Sequence, residues 1–435
     1  MSTPSLPERV LRAVAPRTFR QGSLRLNLVF TLVGNTVQLG AQWATVMLLA
    51  KVGDPVMVGE FSLALGLCAP VITVLSLGLR TVLVTDAARA HTYADMLGAR
   101  VLGTALALVV VSAEALWIAR TPRVLAVYVL VAAARCIDSL SDIHWAQLQR
   151  AERMDLIAAS QALRGLVGIA AMGAALALTR SLAWAAAALL AVSLLVWWRF
   201  DLRAVDAATP DERTRPTFDP EALRKIVKVT APLVFSMALT AFAGPMPRYF
   251  LEAYRGTREV GYLAVASAPI ALVGFLPSAI YQATAARAAA HMQRGEHDAF
   301  VALGWRVAAA NVGVAMSFYL GSVLFGGLFL RVMFAPEYTR LWPVMNLYCL
   351  SQVIATLGVF GSQVVNAGRM FRASAVLALL AVVAHLLASM VLVPRYGLWG
   401  SVYADIVFKG VSAAVLFVIG AWWYVRARRP ASVAG

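Results

Sequence analysis

Charged residues are scarce in this chain of 435 residues, of which they make up 14%. An ordinary soluble domain carries about 25%. Hydrophobic residues make up 60%, and apolar runs of about 20 residues follow one another, as in a polytopic membrane protein. This composition excludes a secreted disulfide scaffold, a disordered chain and an ordinary soluble enzyme.

Cysteine is also scarce, and the sequence lacks the short motifs of soluble enzymes. Cys68, Cys136 and Cys349 all lie in apolar runs without a C-x-x-C spacing, so we predict no disulfide and no zinc site. There is no G-x-x-x-x-G-K-[ST] loop, and therefore no built-in ATPase, and no H-E-x-x-H pair. We predict no cofactor and no metal.

Acidic residues are few, since 22 Asp and Glu stand against 38 Lys and Arg. In a soluble protein this excess would suggest nucleic acid. Here it follows from the concentration of Lys and Arg in the inner loops of membrane proteins, so we predict no nucleic-acid partner. Most of these residues lie on the side of the predicted helices that holds both termini, which places both termini in the cytoplasm.

The apolar pattern predicts an all-α integral membrane fold of about 12 transmembrane helices. The predicted spans are 26–50, 57–80, 99–119, 124–148, 156–179, 182–200, 226–250, 259–283, 301–330, 341–366, 372–393 and 398–425. They divide the chain into a basic tail (1–25), an N-lobe (26–200), a cytoplasmic connection (201–225), a C-lobe (226–425) and a C-terminal tail (426–435).

Two pairs of segments indicate an internal repeat. Span 2 begins with Val58-Gly59 and span 8 with Val260-Gly261, while residues 147–154 at the end of span 4 resemble residues 363–370 at the end of span 10. A separation of six spans preserves orientation, so the pattern predicts two parallel-related six-helix lobes around a central cleft. The alternative is chance similarity between apolar sequences.

Polar residues form a stripe on span 1, from Asn35, Gln38 and Gln42, and a similar one on span 10, which includes Gln352 and Gln363. Amides of this kind suit the lining of a cavity that accepts sugar hydroxyls. They equally suit hydrogen bonding between helices, and the sequence leaves both interpretations open.

Span 4 carries the highest density of charge. Arg135, Asp138 and Asp142 lie on one helical face, at positions i, i+3 and i+7. We expect Arg135 to pair with Asp138, and Asp142 with a neighbour such as Arg164 on span 5. Direct coupling to a substrate or a proton is the alternative, because ionisable groups inside a membrane are costly. His144 is interpreted as a packing histidine.

Three further sites carry charge. Asp405 and Lys409 have the i, i+4 spacing of an intrahelical pair, with a phosphate contact in the cleft as the alternative for Lys409. Arg248 follows two prolines that should break span 7, and it faces either a cavity or lipid headgroups. Arg80 lies near the inner face, where snorkelling and an incoming anionic headgroup both explain it.

Several segments resemble bacterial polysaccharide flippases of the Wzx type, which belong to the multidrug/oligosaccharidyl-lipid/polysaccharide exporter superfamily. They are residues 135–142 and 147–155, Gly34-Asn35, Val58-Gly59-x-Phe61 and residues 394–401. The resemblance extends from about residue 25 to residue 425, and twelve spans are typical of the polysaccharide branch.

The resemblance implies that the protein is a transporter and not an enzyme. It implies that a polyprenyl-diphosphate-linked oligosaccharide crosses the bacterial inner membrane by alternating access, for O-antigen or other surface polysaccharide. Arginines in the cleft would attract the diphosphate. The implied partners are membrane lipids, H⁺ or Na⁺ as coupling ion, a polysaccharide polymerase and a chain-length regulator.

Two other functions are compatible with the pattern. A cation-coupled multidrug antiporter of the same superfamily would need an acidic cation site, and Arg135 beside Asp138 and Asp142 argues against a free one. A polytopic glycosyltransferase or polymerase would need an acidic group on a substantial outer loop, and the predicted outer loops are short.

Overall fold

The computed structural model describes residues 24–85, 91–210, 212, 214–368 and 370–427. Within these residues every regular element is helical, which confirms the all-α prediction. The chain divides into two compact units, Met1–Ala241 and Phe242–Gly435. The lobe limits drawn from the sequence stay a prediction, and nearly all of both predicted tails lies outside the described residues.

Unit 1 (Met1–Ala241) contains the helices of predicted spans 1 to 6 and most of the first helix of span 7. They are α1 Leu24–Val52, α2 Pro55–Leu75, α3 Leu79–Thr85, α4 Tyr93–Ile118, α5 Pro122–Arg150, α6 Met154–Thr179, α7 Leu182–Val196, a π-helical segment Trp197–Asp201, α8 Leu202–Ala208 and α9 Pro220–Ala243.

Unit 2 (Phe242–Gly435) contains the remaining helices. They are α10 Met246–Arg255, α11 Thr257–Gln293, α12 His297–Met333, a 3₁₀ segment Pro336–Leu341, α13 Trp342–Thr356, α14 Val359–Ala367, α15 Phe371–Tyr396 and α16 Leu398–Ala427. Each of the twelve predicted spans therefore overlaps at least one helix.

Hydropathy identifies the chain as a multi-pass membrane protein. In the described part of the chain, 8 helices are long and apolar enough to cross a bilayer, and a bent pair would make 9. Large apolar side chains such as Trp117, Leu178 and Trp184 face outward, as lipid-facing residues do. The number of twelve crossings and the side of the termini stay predictions.

Helix ends follow local sequence signals. The Asp54 side chain accepts from the backbone N–H groups of Val56 and Met57 at 2.8 and 2.9 Å, and Pro55 occupies the first turn of α2. Thr121 caps α5 in the same way, again before a proline. Such caps satisfy backbone donors that the first turn leaves unpaired.

Three predicted spans are broken. Span 2 ends as α2 at Leu75 and resumes as α3, after Leu77 and Gly78 adopt positive φ values of 53° and 58°. Span 7 breaks between α9 and α10, where two prolines predicted a break. Span 10 bends by 45° between α13 and α14. There the Thr356 hydroxyl donates to the carbonyl of Val353 at 2.6 Å.

The C-terminal part of span 10, from Gly358 through α14, lies in close contact with α16. A Cβ atom on Gly361 of α14 would stand 1.7 Å from the carbonyl oxygen of Leu416, and one on Gly358 would stand 3.0 Å from the Cα of Ala413. Only glycine permits this approach of two backbones. The bend in span 10 and this contact together fix α14 against α16.

We expect Gly361→Ala to lower the free energy of unfolding by about 1–3 kcal/mol, because the new methyl group overlaps the backbone of α16. Gly321→Ala on α12 is the matched control, since a Cβ there meets nothing within 4 Å. Thermal unfolding of the purified chain in detergent measures both variants. Equal melting temperatures would contradict the close contact.

Candidate functional site

The charged residues of α5 form the centre of a network in unit 1. Arg135, Asp138 and Asp142 lie along one face of this helix, and arginines from α3, α4 and α6 reach the two aspartates. The π-helical segment adds a carboxylate that pairs with the arginine of α6. The network has two branches, one around each aspartate. Its geometry follows from the need of buried charges for hydrogen-bonded partners.

In the first branch Asp138 lies between two arginines. Arg135 reaches it from the same helix at 3.1 Å, and Arg164 of α6 forms a short ion pair with its other oxygen. Ser193 also donates to Asp138, at 3.2 Å. Arg164 makes a further ion pair with Asp201 at 2.9 Å.

In the second branch Asp142 binds two other arginines. Arg80 of α3 donates to one oxygen at 2.8 Å, and Arg100 of α4 donates to the other at 3.2 Å. The expected pairing of Asp142 with Arg164 is therefore wrong. Because α6 packs beside Asp138, Arg164 meets that aspartate, and the arginines of α3 and α4 are left to Asp142.

Asp201 also belongs to the network. The sequence predicted that span 6 ends at residue 200, which left Asp201 in the connection 201–225. The helix of span 6 does not end at residue 200 but continues to Ala208 through a π-helical segment. Asp201 is 0% exposed and accepts a hydrogen bond from Ser160. The apolar residues Phe200 and Ala204, four positions apart as on one face of a helix, were the available signal.

Arg100 was also missed by the sequence analysis. It is 2% exposed, and besides Asp142 it donates to Ser139 at 3.0 Å. Helix α4 begins at Tyr93, six residues before the predicted span, so Arg100 lies two turns inside the helix. Sequence alone placed it at the membrane boundary, where an arginine needs no buried partner.

His144 has the geometry of a neutral packing histidine. The indole N–H of Trp197 donates to its Nε2 at 3.1 Å, and its Nδ1 contacts the hydroxyl of Tyr93. Because indole only donates, Nε2 must accept, and the ring proton lies on Nδ1. A second proton on Nε2 would face the Trp197 N–H group, which disfavours a role in proton transfer.

The polar stripe of span 1 is divided by the fold. Gln38 accepts a hydrogen bond from Gln161 of α6 at 2.8 Å, so it joins two helices. Asn35 and Gln42 are exposed, and in the described part of the chain no hydrogen bond links them to the charged network. Of the three stripe residues, Asn35 and Gln42 are thus the ones whose amides can bind a ligand.

In unit 2 the predicted pair of Asp405 and Lys409 is present. The Lys409 ammonium lies 2.6 Å from Asp405 and donates to Ser351 of α13 at 2.9 Å. Ser351 in turn donates to Asp405 at 2.7 Å. This triad neutralises the lysine and joins α13 to α16.

The other predicted residues of unit 2 have fewer partners. Arg248 is half-buried near Tyr348, and no carboxylate among the described residues lies within ion-pair distance of it. Gln363 is buried, and neither atom of its amide has a hydrogen-bond partner in the described structure. Gln352 is half-buried on α13. Of the predicted unit 2 residues, Arg248 therefore has no ion-pair partner and Gln363 no hydrogen-bond partner in the described structure.

Metal-binding chemistry has no visible basis in the described ranges, which contain no cluster of three or more His, Cys, Asp or Glu side chains. The three cysteines are free and buried.

Transporters of the MOP superfamily are among the solved structures that share this fold. An inward-facing multidrug resistance MATE family transporter has a TM-score of 0.68 at 13% identity, covering 92% of this chain and 100% of that one. The outward-facing form of such a transporter has a TM-score of 0.57 at 14% identity, covering 92% of this chain and 94% of that one. The chain therefore has the fold of a multi-pass membrane transporter.

A transporter of the same superfamily from Pyrococcus furiosus has a TM-score of 0.61 at 14% identity, covering 99% of this chain and 100% of that one. Its structure is described as having a binding pocket of reverse polarity that suggests a different function. No curated protein matches the sequence.

The polysaccharide biosynthesis protein family matches residues 24–285, which is more than half of the chain. The chain belongs to this family. The resemblance drawn from residues 135–142 and the other segments is thereby confirmed at the level of the polysaccharide biosynthesis family.

We expect Asp201→Asn to lower the free energy of unfolding by about 3–5 kcal/mol. The buried guanidinium of Arg164 would lose its ion pair with residue 201 and keep only the one with Asp138. Asp206→Asn is the matched control, since Asp206 is exposed on α8, and it should change stability by less than about 0.5 kcal/mol. Thermal unfolding in detergent compares the two. Equal effects would show that the buried pair carries no stability.

Proposed function

We propose that this protein is a flippase that carries a polyprenyl-diphosphate-linked oligosaccharide across the bacterial inner membrane for surface polysaccharide biosynthesis. The observation that carries the proposal is the arginine-rich network of unit 1, in a chain of the polysaccharide biosynthesis family. The proposal includes twelve spans, cytoplasmic termini and two lobes that alternate in access around a central cleft.

The charged headgroup is the main physical obstacle to such transport. A diphosphate that leaves water loses its hydration, and the cost falls only if fixed donors replace the water. Guanidinium groups form charge-assisted, bidentate hydrogen bonds with phosphate oxygens. Arg135 and Arg80 are the partly exposed arginines of the network, and their side chains are 29% and 36% exposed.

The sugar portion of the substrate needs neutral polar partners. Asn35 and Gln42 are exposed on α1, and Gln363 is buried without a hydrogen-bond partner in the described structure. Their amides can donate to and accept from hydroxyl groups. Gln38 and Lys409 are engaged with Gln161 and Asp405, so we assign them to packing.

Energy for the cycle comes from an ion gradient or the membrane potential in this proposal, because the sequence has no nucleotide-binding loop. The ion-network residues Asp138, Asp142, Arg164 and Asp405 are the groups on which a coupled H⁺ or Na⁺ would act. A polysaccharide polymerase and a chain-length regulator are the proposed downstream partners.

The second hypothesis is a cation-coupled multidrug antiporter, which the MATE fold favours. A cationic drug needs a carboxylate that is free to pair with it. Asp138, Asp142 and Asp201 are each bound by arginine, so the described part of unit 1 offers an anion the better site. The Pyrococcus furiosus transporter, with its pocket of reverse polarity, is a precedent for such a change on this fold.

Deletion of the gene in its own bacterium should cause lipid-linked oligosaccharide to accumulate on the cytoplasmic side and surface polysaccharide to disappear. We expect complementation with Arg135→Ala or Arg248→Ala to restore less than about a tenth of wild-type surface polysaccharide, since each removes a charge-assisted contact of about 1.4 kcal/mol or more. Lipid extraction with glycan analysis is the measurement.

Arg123→Ala is the matched control, because Arg123 is exposed at the start of α5 and outside the network. It should restore full export. Unchanged lipid-linked glycans in the deletion strain, together with new sensitivity to cationic dyes, would overturn the flippase and favour the antiporter.

A further inference from the structure

The two branches of the network share one design but differ in charge. In each, an aspartate of α5 lies between an arginine buried on a neighbouring helix and a more exposed arginine. The first branch has a second carboxylate, Asp201, so two arginines face two aspartates. The first branch is therefore neutral.

The second branch lacks such a carboxylate. Arg80 and Arg100 share Asp142, and among the described residues no other carboxylate lies within 4 Å of either guanidinium. Two positive charges thus face one negative charge, which leaves this branch at +1.

The surplus positive charge is accessible at Arg80 and Asp142 and not at Arg100. Arg100 is 2% exposed and closes the branch on the protein side, while Arg80 and Asp142 are 36% and 30% exposed. Gln149 occupies one N–H group of Arg80 through its amide oxygen at 3.2 Å. A neutral amide at that distance is a weak acceptor, which an anionic oxygen can displace.

The backbone is strained where it brings Arg80 to this place. The break in span 2 puts Leu77 at φ 53° and Gly78 at φ 58°, immediately before α3. A leucine in this region costs about 1–2 kcal/mol. Strain of this kind is retained mainly at functional sites, and a straight helix would carry Arg80 elsewhere.

We propose that Arg80, Asp142 and Arg100 form an oxyanion site that lacks one negative charge, and that a phosphate-type headgroup supplies it. Resting on the proposed function, the headgroup is the diphosphate of the lipid carrier. By the predicted orientation the site lies in the cytoplasmic half of unit 1. Arg80 is then a contact that the substrate makes on entry, and Arg100 and Asp142 are positioning residues behind it.

Gln149→Glu tests the missing charge directly, because it places a carboxylate where an amide already contacts Arg80. We expect this variant to bind inorganic pyrophosphate at least about tenfold more weakly than the wild type, the equivalent of about one lost ion contact. Its melting temperature should rise, since the branch becomes neutral. Isothermal titration of the purified full chain in phosphatidylcholine nanodiscs measures the binding.

Gln149→Leu is the matched control, because it removes the amide without adding charge. It should bind pyrophosphate within about threefold of the wild type. Arg80→Gln should lose binding, and Arg80→Lys should recover only part of it, since lysine keeps the charge but not the planar fork. A purely structural role for the branch would instead make Gln149→Glu more stable with unchanged binding.

Two further results would overturn the site: no binding of pyrophosphate by the wild type at low salt, or equal binding by Gln149→Glu. Repeating the titration in phosphatidylglycerol nanodiscs distinguishes the source of the anion. A fall of more than about tenfold there, in the wild type and in Gln149→Leu alike, would assign the site to bulk anionic lipid and overturn the substrate assignment. The lipid-linked glycan of the deletion strain tests the flippase independently of all these outcomes.

Discussion

The cost of keeping charge inside a membrane protein governs the described structure of unit 1. Moving a carboxylate or guanidinium out of water costs several kcal/mol per ion, and only well-placed partners return it. Asp138 and Asp142 on α5 therefore require arginines, and besides Arg135 of the same helix these come from three other helices. The packing of α3, α4 and α6 against α5 is constrained by these contacts as much as by apolar surface.

Irregular backbone segments position two of the charged partners, Arg80 and Asp201. The break at Leu77 and Gly78 brings Arg80 to Asp142, and the π-helical segment turns Asp201 toward Arg164. Breaks of this kind are tolerated in membrane helices only where protein or water satisfies the freed backbone groups. The irregular parts of spans 2 and 6 therefore place the charged side chains where they pair, and these ion pairs hold the irregular segments in place.

Charge polarity separates the two transport hypotheses more clearly than the fold does. The MATE-like fold is compatible with drug export and with lipid flipping, because fold and function are only loosely linked. In the network of unit 1 the three aspartates, Asp138, Asp142 and Asp201, are each engaged by guanidinium groups, and the surplus charge is positive. A site of this kind recognises an anion, which is the reason to favour a diphosphate-bearing substrate.

Local sequence determined the helices of this protein, and tertiary structure decided its charged contacts. Apolar runs of membrane length permit only helices, and an i, i+4 spacing puts Asp405 beside Lys409 on any helix. The partners of Asp138 and Asp142 depend on which neighbouring helix lies beside each turn of α5, and no local pattern encodes that. Asp201 and Arg100 were missed for the same reason. Their burial is a property of the packed unit, whereas the sequence shows only polar residues at the ends of apolar runs.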